Sequence, residues 1–191
     1  MKNNIKNKKA GYTIIETMIA VAIFTIIVVI GMGALLNANN LYNKSKNMRS
    51  IMDSLSYTMD DMSRSLRTGY DYYCIQGGQQ VPSYGYAPSS GSNCMGVAFE
   101  PQGGGPVWAY RITQQGTIQK TTDDGNTWVQ LTPDEITIDI NVSAFSVIGA
   151  ELPPDIQQPF VIIRLKGQIN YKTITTPFSL QTSVSQRDID I

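Results

Sequence analysis

"YTIIETMIAVAIFTIIVVIGMGALL", residues 12–36, is a run of 25 residues in which Glu16 is the only charge. As an α-helix rising 1.5 Å per residue it would be about 37 Å long, enough to cross a hydrocarbon core of about 30 Å. The run therefore reads as a membrane span. A secretory signal would have an apolar region of about 7 to 15 residues followed by a small-residue cleavage site. This run is longer, and "GMGALLNANN", residues 31–40, is a poor site of that kind. Ahead of it stand Lys2, Lys6, Lys8 and Lys9. The positive-inside bias places that cluster on the cytoplasmic side and the C-terminal part of the chain outside.

The whole chain has 191 residues, room for one ordinary domain and an appendage. Its 15 Lys and Arg balance its 15 Asp and Glu, but removing the four leading lysines leaves 11 basic against 15 acidic side chains. No basic stripe follows that could track a phosphate backbone, so nucleic acid is a poor fit as the main partner.

A basic leader ending in Gly11, an aromatic at Tyr12, a carboxylate at Glu16 and about twenty apolar residues occur in that order. This arrangement resembles the class III signal of type IV pilins and pseudopilins. The resemblance implies a precursor in the bacterial inner membrane, its N-terminus cytoplasmic and its head outside. Prepilin peptidase would cut between Gly11 and Tyr12 and methylate the new Tyr12 amine. Tyr12 departs from the family's usual phenylalanine. The implied partners are the peptidase, the membrane, an inner-membrane assembly platform and other pilin subunits, with a cell-surface pilus or periplasmic pseudopilus as destination.

The resemblance gives Glu16 a physical reason. A charge at membrane depth costs about 2.5 to 3.5 kcal/mol on the lenient insertion scales and usually has a partner. No basic side chain lies between Lys9 and Lys44. Cleavage after Gly11 would create a cation at Tyr12, one helical turn away and protonated at neutral pH. Among packed helices, Glu16 of one subunit would meet the Tyr12 amine of the next, an ion pair that fixes register more than it adds stability. Glu16 is thus expected to serve assembly.

Helical spacing continues past the span. Met48, Met52, Leu55, Met59, Met62 and Leu66 form a stripe at intervals of four and three, expected to be core. Gly31, Gly33 and "NANN", residues 37–40, are weak helix formers that would soften the helix locally. After Gly69 come short segments rich in β-branched and aromatic residues, among them "GVAFEP", "VWAYRIT", "EITIDINVSAFSVIG", "PFVIIRLKGQI" and "TPFSLQTSVSQ". Ile136, Ile138, Ile140 and Val142 alternate with polar residues, as do Phe178, Leu180, Thr182 and Val184. The expected fold is α+β: a long N-terminal helix whose second half covers the dry face of an antiparallel sheet. The expected organisation is a leader at 1–11, a membrane and assembly segment at 12–36, a packed helix at 37–68 and a β-rich head at 69–191. The segments 53–69 and 178–191 are similar to minor pilins of the J or W type, and Glu16 argues against the tip type that lacks it.

Cys74 and Cys94 flank a loop in which Gly, Ser, Pro and Tyr supply twelve of the eighteen residues from 76 to 93. Outside the membrane, a disulfide there would close about 20 residues and stabilise by roughly 3 kcal/mol. The alternative is two free thiols. Two cysteines and no histidine give poor support for zinc. "TTDDGNTW", residues 121–128, is similar to the Asp box of sialidase propellers but occurs once, and its residues suit a hairpin turn. Asp123 and Asp124 alone make weak calcium ligands. With no phosphate loop and no histidine base, the chain is expected to catalyse nothing and to hold no cofactor. It reads as a minor subunit of a pilus or secretion pseudopilus. The rival reading is a membrane-anchored binding module or adhesin that does not polymerise.

Overall fold

One helix, α1 (Ile14–Thr68), precedes ten strands in a computed structural model that describes residues 11–152, 157–171 and 174–187. Lys2, Lys6, Lys8 and Lys9 and the end of the tail, residues 188–191, lie outside the described residues. The chain divides into two compact units, Met1–Asn47 and Met48–Ile191. The architecture is the expected α+β arrangement of one long N-terminal helix and antiparallel sheet.

In the second unit, α1 buries Ile51, Leu55, Thr58, Met59, Met62 and Leu66. Met52, expected in the stripe, is 37% exposed, and Ile51 takes its place. At 3.6 residues per turn, Met52 stands about 60° around the helix from Leu55 and Ile51 about 40°. The narrower offset decides which is covered. Residues 37–47 belong to the first unit and bury no side chain.

The helix ends where its carbonyls find other donors. Gly69 N–H donates to Ser65 and Leu66 carbonyls, and the Tyr72 hydroxyl donates to the Leu66 carbonyl. A side chain at Gly69 would drive its Cβ to 2.3 Å from the Phe99 ring, so no larger residue fits there.

The head has two antiparallel sheets where the sequence suggests one. The first runs β1 (Tyr70–Ile75), β3 (Gly96–Glu100), β4 (Trp108–Ile112), β5 (Ile118–Thr121), β6 (Val129–Gln130). The second runs β10 (Ile174–Ser185), β9 (Phe160–Tyr171), β8 (Ala144–Ile148), β2 (Gly91–Cys94), with β7 (Ile136–Ile138) also on β9. A single core cluster joins Leu55, Met62 and Leu66 of the helix to Phe99 and Tyr110 of the first sheet and Phe145, Ile163 and Leu165 of the second.

The β9–β10 hairpin is in register over all twelve residues, and Phe178 and Val184 are buried while Ser179, Gln181, Ser183 and Ser185 are exposed. The alternation expected through Ile136, Ile138, Ile140 and Val142 stops halfway. Ile140 and Val142 are each 39% exposed, because Asp139 accepts the Asn141 N–H at 3.0 Å and turns the chain before β8.

Outside the core, Lys120 Nζ lies 3.0 Å from Asp61 Oδ2, which also accepts the Tyr110 hydroxyl at 2.8 Å. These contacts join the helix to the first sheet. Leu55→Ala or Met62→Ala should each cost about 2 to 5 kcal/mol through the cavity left behind, whereas Met52→Ala should stay within about 0.5 kcal/mol. Urea unfolding of the full chain in detergent micelles, followed by tryptophan fluorescence, measures the difference.

Candidate functional site

The first unit contains the sequence-predicted processing residues. Gly11, Tyr12 and Thr13 precede the helix, and all three are exposed. Thr13 is the N-cap: its Oγ1 accepts the Glu16 N–H at 3.3 Å and its carbonyl accepts the Thr17 N–H at 3.2 Å. Glu16 thus occupies the third helical position, where a carboxylate also meets the positive end of the helix dipole. Sequence reasoning assigned Glu16 a partner between subunits and missed this local role, although threonine followed three residues later by glutamate is its signal.

None of the most apolar window of α1 is buried within the chain, which separates it from the core helix of a soluble domain. Its hydroxyls are satisfied within the helix. Thr17 Oγ1 donates to the Ile14 carbonyl and Thr25 Oγ1 to the Val21 carbonyl, both at 2.8 Å. The Glu16 carboxylate has no hydrogen-bond or ion-pair partner among the described residues. A Cβ at Gly11, Gly31 or Gly33 would meet nothing within 4 Å, so packing inside the chain does not require glycine at these positions.

The family model described as the prokaryotic N-terminal methylation motif matches residues 6–32. The chain carries a prepilin-type signal. This motif covers Gly11, Tyr12, Glu16 and most of the apolar run, and it supports a pilin- or pseudopilin-type precursor with a membrane-anchoring helix. Comparison with curated proteins and with solved structures finds no match.

In the second unit, Cys74 and Cys94 are joined in a disulfide that spans 20 residues. Other ties hold the enclosed loop. Cys74 N–H donates to the Ser89 carbonyl and Ser89 N–H to the Tyr72 carbonyl, at 3.0 and 2.9 Å. Gly85 N–H donates to Glu100 Oε1 at 3.0 Å, and the Tyr86 hydroxyl donates to the Asp71 carbonyl. Glu100 is only 4% exposed, a buried carboxylate that the sequence reading passed over.

Residues 121–128 form the hairpin turn between β5 and β6. Asp123 accepts the hydroxyls of Thr121 and Thr127, both at 2.6 Å, and the Thr127 N–H at 2.9 Å. Asp124 Oδ1 accepts the Val107 N–H at 2.7 Å. Asp123 therefore holds the backbone of the turn and Asp124 ties the turn to Val107, and no group of three or more metal-binding side chains occurs among the described residues.

The Thr121 hydroxyl above all, with the Thr127 hydroxyl and N–H, holds the Asp123 carboxyl at about 2. An unfolded aspartate titrates near 3.9, so these bonds stabilise the fold above about pH 4 and lose that effect as pH falls towards 2. Carboxyl NMR titration should place the Asp123 midpoint near 2, and Asp123→Asn should flatten the fall in stability over that interval.

Proposed function

We propose that this protein is a structural minor subunit of a type IV pilus or type II secretion pseudopilus, processed after Gly11 and incorporated through its N-terminal helix. The observation that carries the reading is the prokaryotic N-terminal methylation motif over residues 6–32. The Glu16 carboxylate, without a partner among the described residues in an exposed apolar helix, supports the assembly step. In this reading the leader at 1–11 is removed, residues 12–36 serve the membrane and then the filament, and residues 69–191 form the extracytoplasmic head. The partners are prepilin peptidase, the inner-membrane platform and neighbouring pilin subunits, and the looser sequence likeness favours a J- or W-type position.

The mechanism is an exchange of surroundings. In the bilayer the apolar helix faces lipid, and Glu16 bears a desolvation cost relieved in part by the helix N-terminus. Cleavage supplies the Tyr12 amine. On entry into a bundle, Glu16 of the incoming subunit pairs with the Tyr12 amine of a neighbour, which sets the axial position of each helix against the next. The head performs no chemistry in this scheme.

Two substitutions test successive steps. Gly11→Val should block cleavage by a co-expressed prepilin peptidase, leaving a chain that still begins at Met1 by intact-mass analysis. Glu16→Val should still be cut, because the scissile bond is untouched, but should be depleted from sheared filaments. Loss of one partner of a buried ion pair costs about 3 to 5 kcal/mol. Wild-type protein left uncut beside an active peptidase would overturn the reading, and normal filament entry of Glu16→Val would overturn the ion-pair step.

A further inference from the structure

Arg111 is a guanidinium held in place without an acidic partner among the described residues. It lies on the face of the first sheet opposite Tyr110 and Ile112, which alternate with it along β4 and are buried in the main core. Its cross-strand neighbour is Gln119, whose Oε1 accepts from both Nε and a terminal nitrogen of Arg111 at 3.0 and 2.8 Å. The central carbon of the guanidinium lies over the Trp128 ring at 3.6 Å from its centre. These two contacts fix the side chain in position and rotation. Among the described residues no carboxylate forms a salt bridge with it, and burial lowers its proton affinity below the ordinary arginine value.

Two cavities, of roughly 420 and 430 Å³, share Arg111, Ile75 and Gln79 as walls. The rest of the lining is rich in side-chain amides, from Gln80 and Asn126 on one side to Gln76, Gln114 and Gln115 on the other. The floor is shaped by neighbouring structure. Small Ala98 and Ala109 let the disulfide-closed loop lie close to the sheet, and Val81 of that loop presses on the turn at Gly125, where a Cβ would come within 3.0 Å of it. Gly125 also has φ of +84°, so the tip of the turn is restricted to glycine by both space and backbone.

We propose that this double cleft binds an acidic saccharide, with Arg111 receiving the carboxylate of a uronic-acid type sugar and the flanking amides receiving its hydroxyls. A guanidinium already oriented by Gln119 and Trp128 retains donors for a carboxylate and spends little further entropy in engaging it. An amide offers a donor and an acceptor side by side, which matches a hydroxyl that both donates and accepts. Gln79 Oε1 already accepts the Gln76 N–H and Asn126 Nδ2 already donates to the Asp123 carbonyl, so those two keep one group each for a sugar. Asp124 also lines the first cavity. Its Oδ1 is occupied by the Val107 N–H, while its second oxygen has no bond among the described residues and can accept a sugar hydroxyl. The charge pattern fits an acidic saccharide, whose carboxylates are spaced one per sugar amid hydroxyls so that one falls at Arg111, better than a run of acidic side chains, for which the cleft provides one cation. Recognition is local, because the chain beyond its four leading lysines has 11 basic against 15 acidic side chains and does not attract polyanions at long range.

The test uses the full-length protein in lipid nanodiscs with three probes: trigalacturonate, its fully methyl-esterified form and a pentaglutamate peptide. Saturation-transfer NMR and tryptophan fluorescence should show saturable binding of the trisaccharide. Esterification should weaken it at least about tenfold, the loss of one charge-assisted contact. Arg111→Gln should cause a comparable loss, and Arg111→Lys should not restore binding fully, because lysine keeps the charge but not the fork that engages Gln119. If the Arg111 variants disturb the sheet, Gln80→Ala and Gln115→Ala, both exposed, replace them and should each weaken binding about threefold or more. No saturable trisaccharide signal up to about 10 mM, equal binding of acid and ester, or unchanged binding by a folded Arg111→Gln would each overturn the proposal. So would pentaglutamate binding more tightly than the trisaccharide.

Discussion

Burial of one helical face against two sheets is the constraint on which the head depends. Leu55, Met62 and Leu66 have no exposed surface and meet side chains from both sheets, so neither sheet has a complete core without the helix. Each such side chain contributes about 1.5 to 3 kcal/mol relative to exposure. The end of the helix is fixed by the same region: Gly69 leaves room for Phe99, Tyr72 stacks obliquely on Phe99 at 6.5 Å, and its hydroxyl closes the last turn. The far end of the chain returns here too, since the Arg187 N–H donates to the Arg67 carbonyl at 2.9 Å.

Electrostatics has a smaller share in the fold. The Lys120–Asp61 pair is partly exposed and is worth on the order of 1 kcal/mol or less. Lys120 Nζ also stands 4.9 Å from the Trp108 ring centre, which keeps the ammonium near its partner. Such contacts set the angle between helix and sheet more than they hold the two together. The polar groups with structural consequence are those that tie loops: Glu100 at Gly85, Asp123 across its turn, and Glu151, whose carboxylate accepts the Ser90 hydroxyl at 2.6 Å.

The parts of the fold legible in the sequence were those with undisturbed periodicity. The apolar run, the helical stripe and the alternation through Phe178, Leu180, Thr182 and Val184 could be read directly because one physical environment persists along each. The missed strands are those interrupted by bulges. β1 breaks register between Tyr70 and Tyr73, around Asp71 at φ of 53°, and β2 breaks between Gly91 and Cys94, around Asn93 at φ of 56°. Such interruptions erase a period of two. Ile140 and Val142 misled in the opposite way, because hydrophobic alternation continued past the residue, Asp139, whose side chain ends the strand. At the candidate sites, the prepilin-type signal is a local pattern and was visible, while the meeting of Arg111, Gln119 and Trp128 depends on strand register that spacing alone does not give.

The hydroxyls of Thr17 and Thr25 turn back on their own helix. Together with the intrahelical backbone bonds, they leave the apolar segment with almost no polar group seeking an outside partner. Such a surface is nearly indifferent to whether hydrocarbon or other apolar helices surround it, since lipid tails and leucine-like side chains are similar solvents. Its partition between two phases is then close to neutral, and in the proposed reading a single carboxylate near one end decides the direction. Glu16 is the one carboxylate among the described residues of the segment, so in that reading it would convert a nearly balanced partition into a directed one.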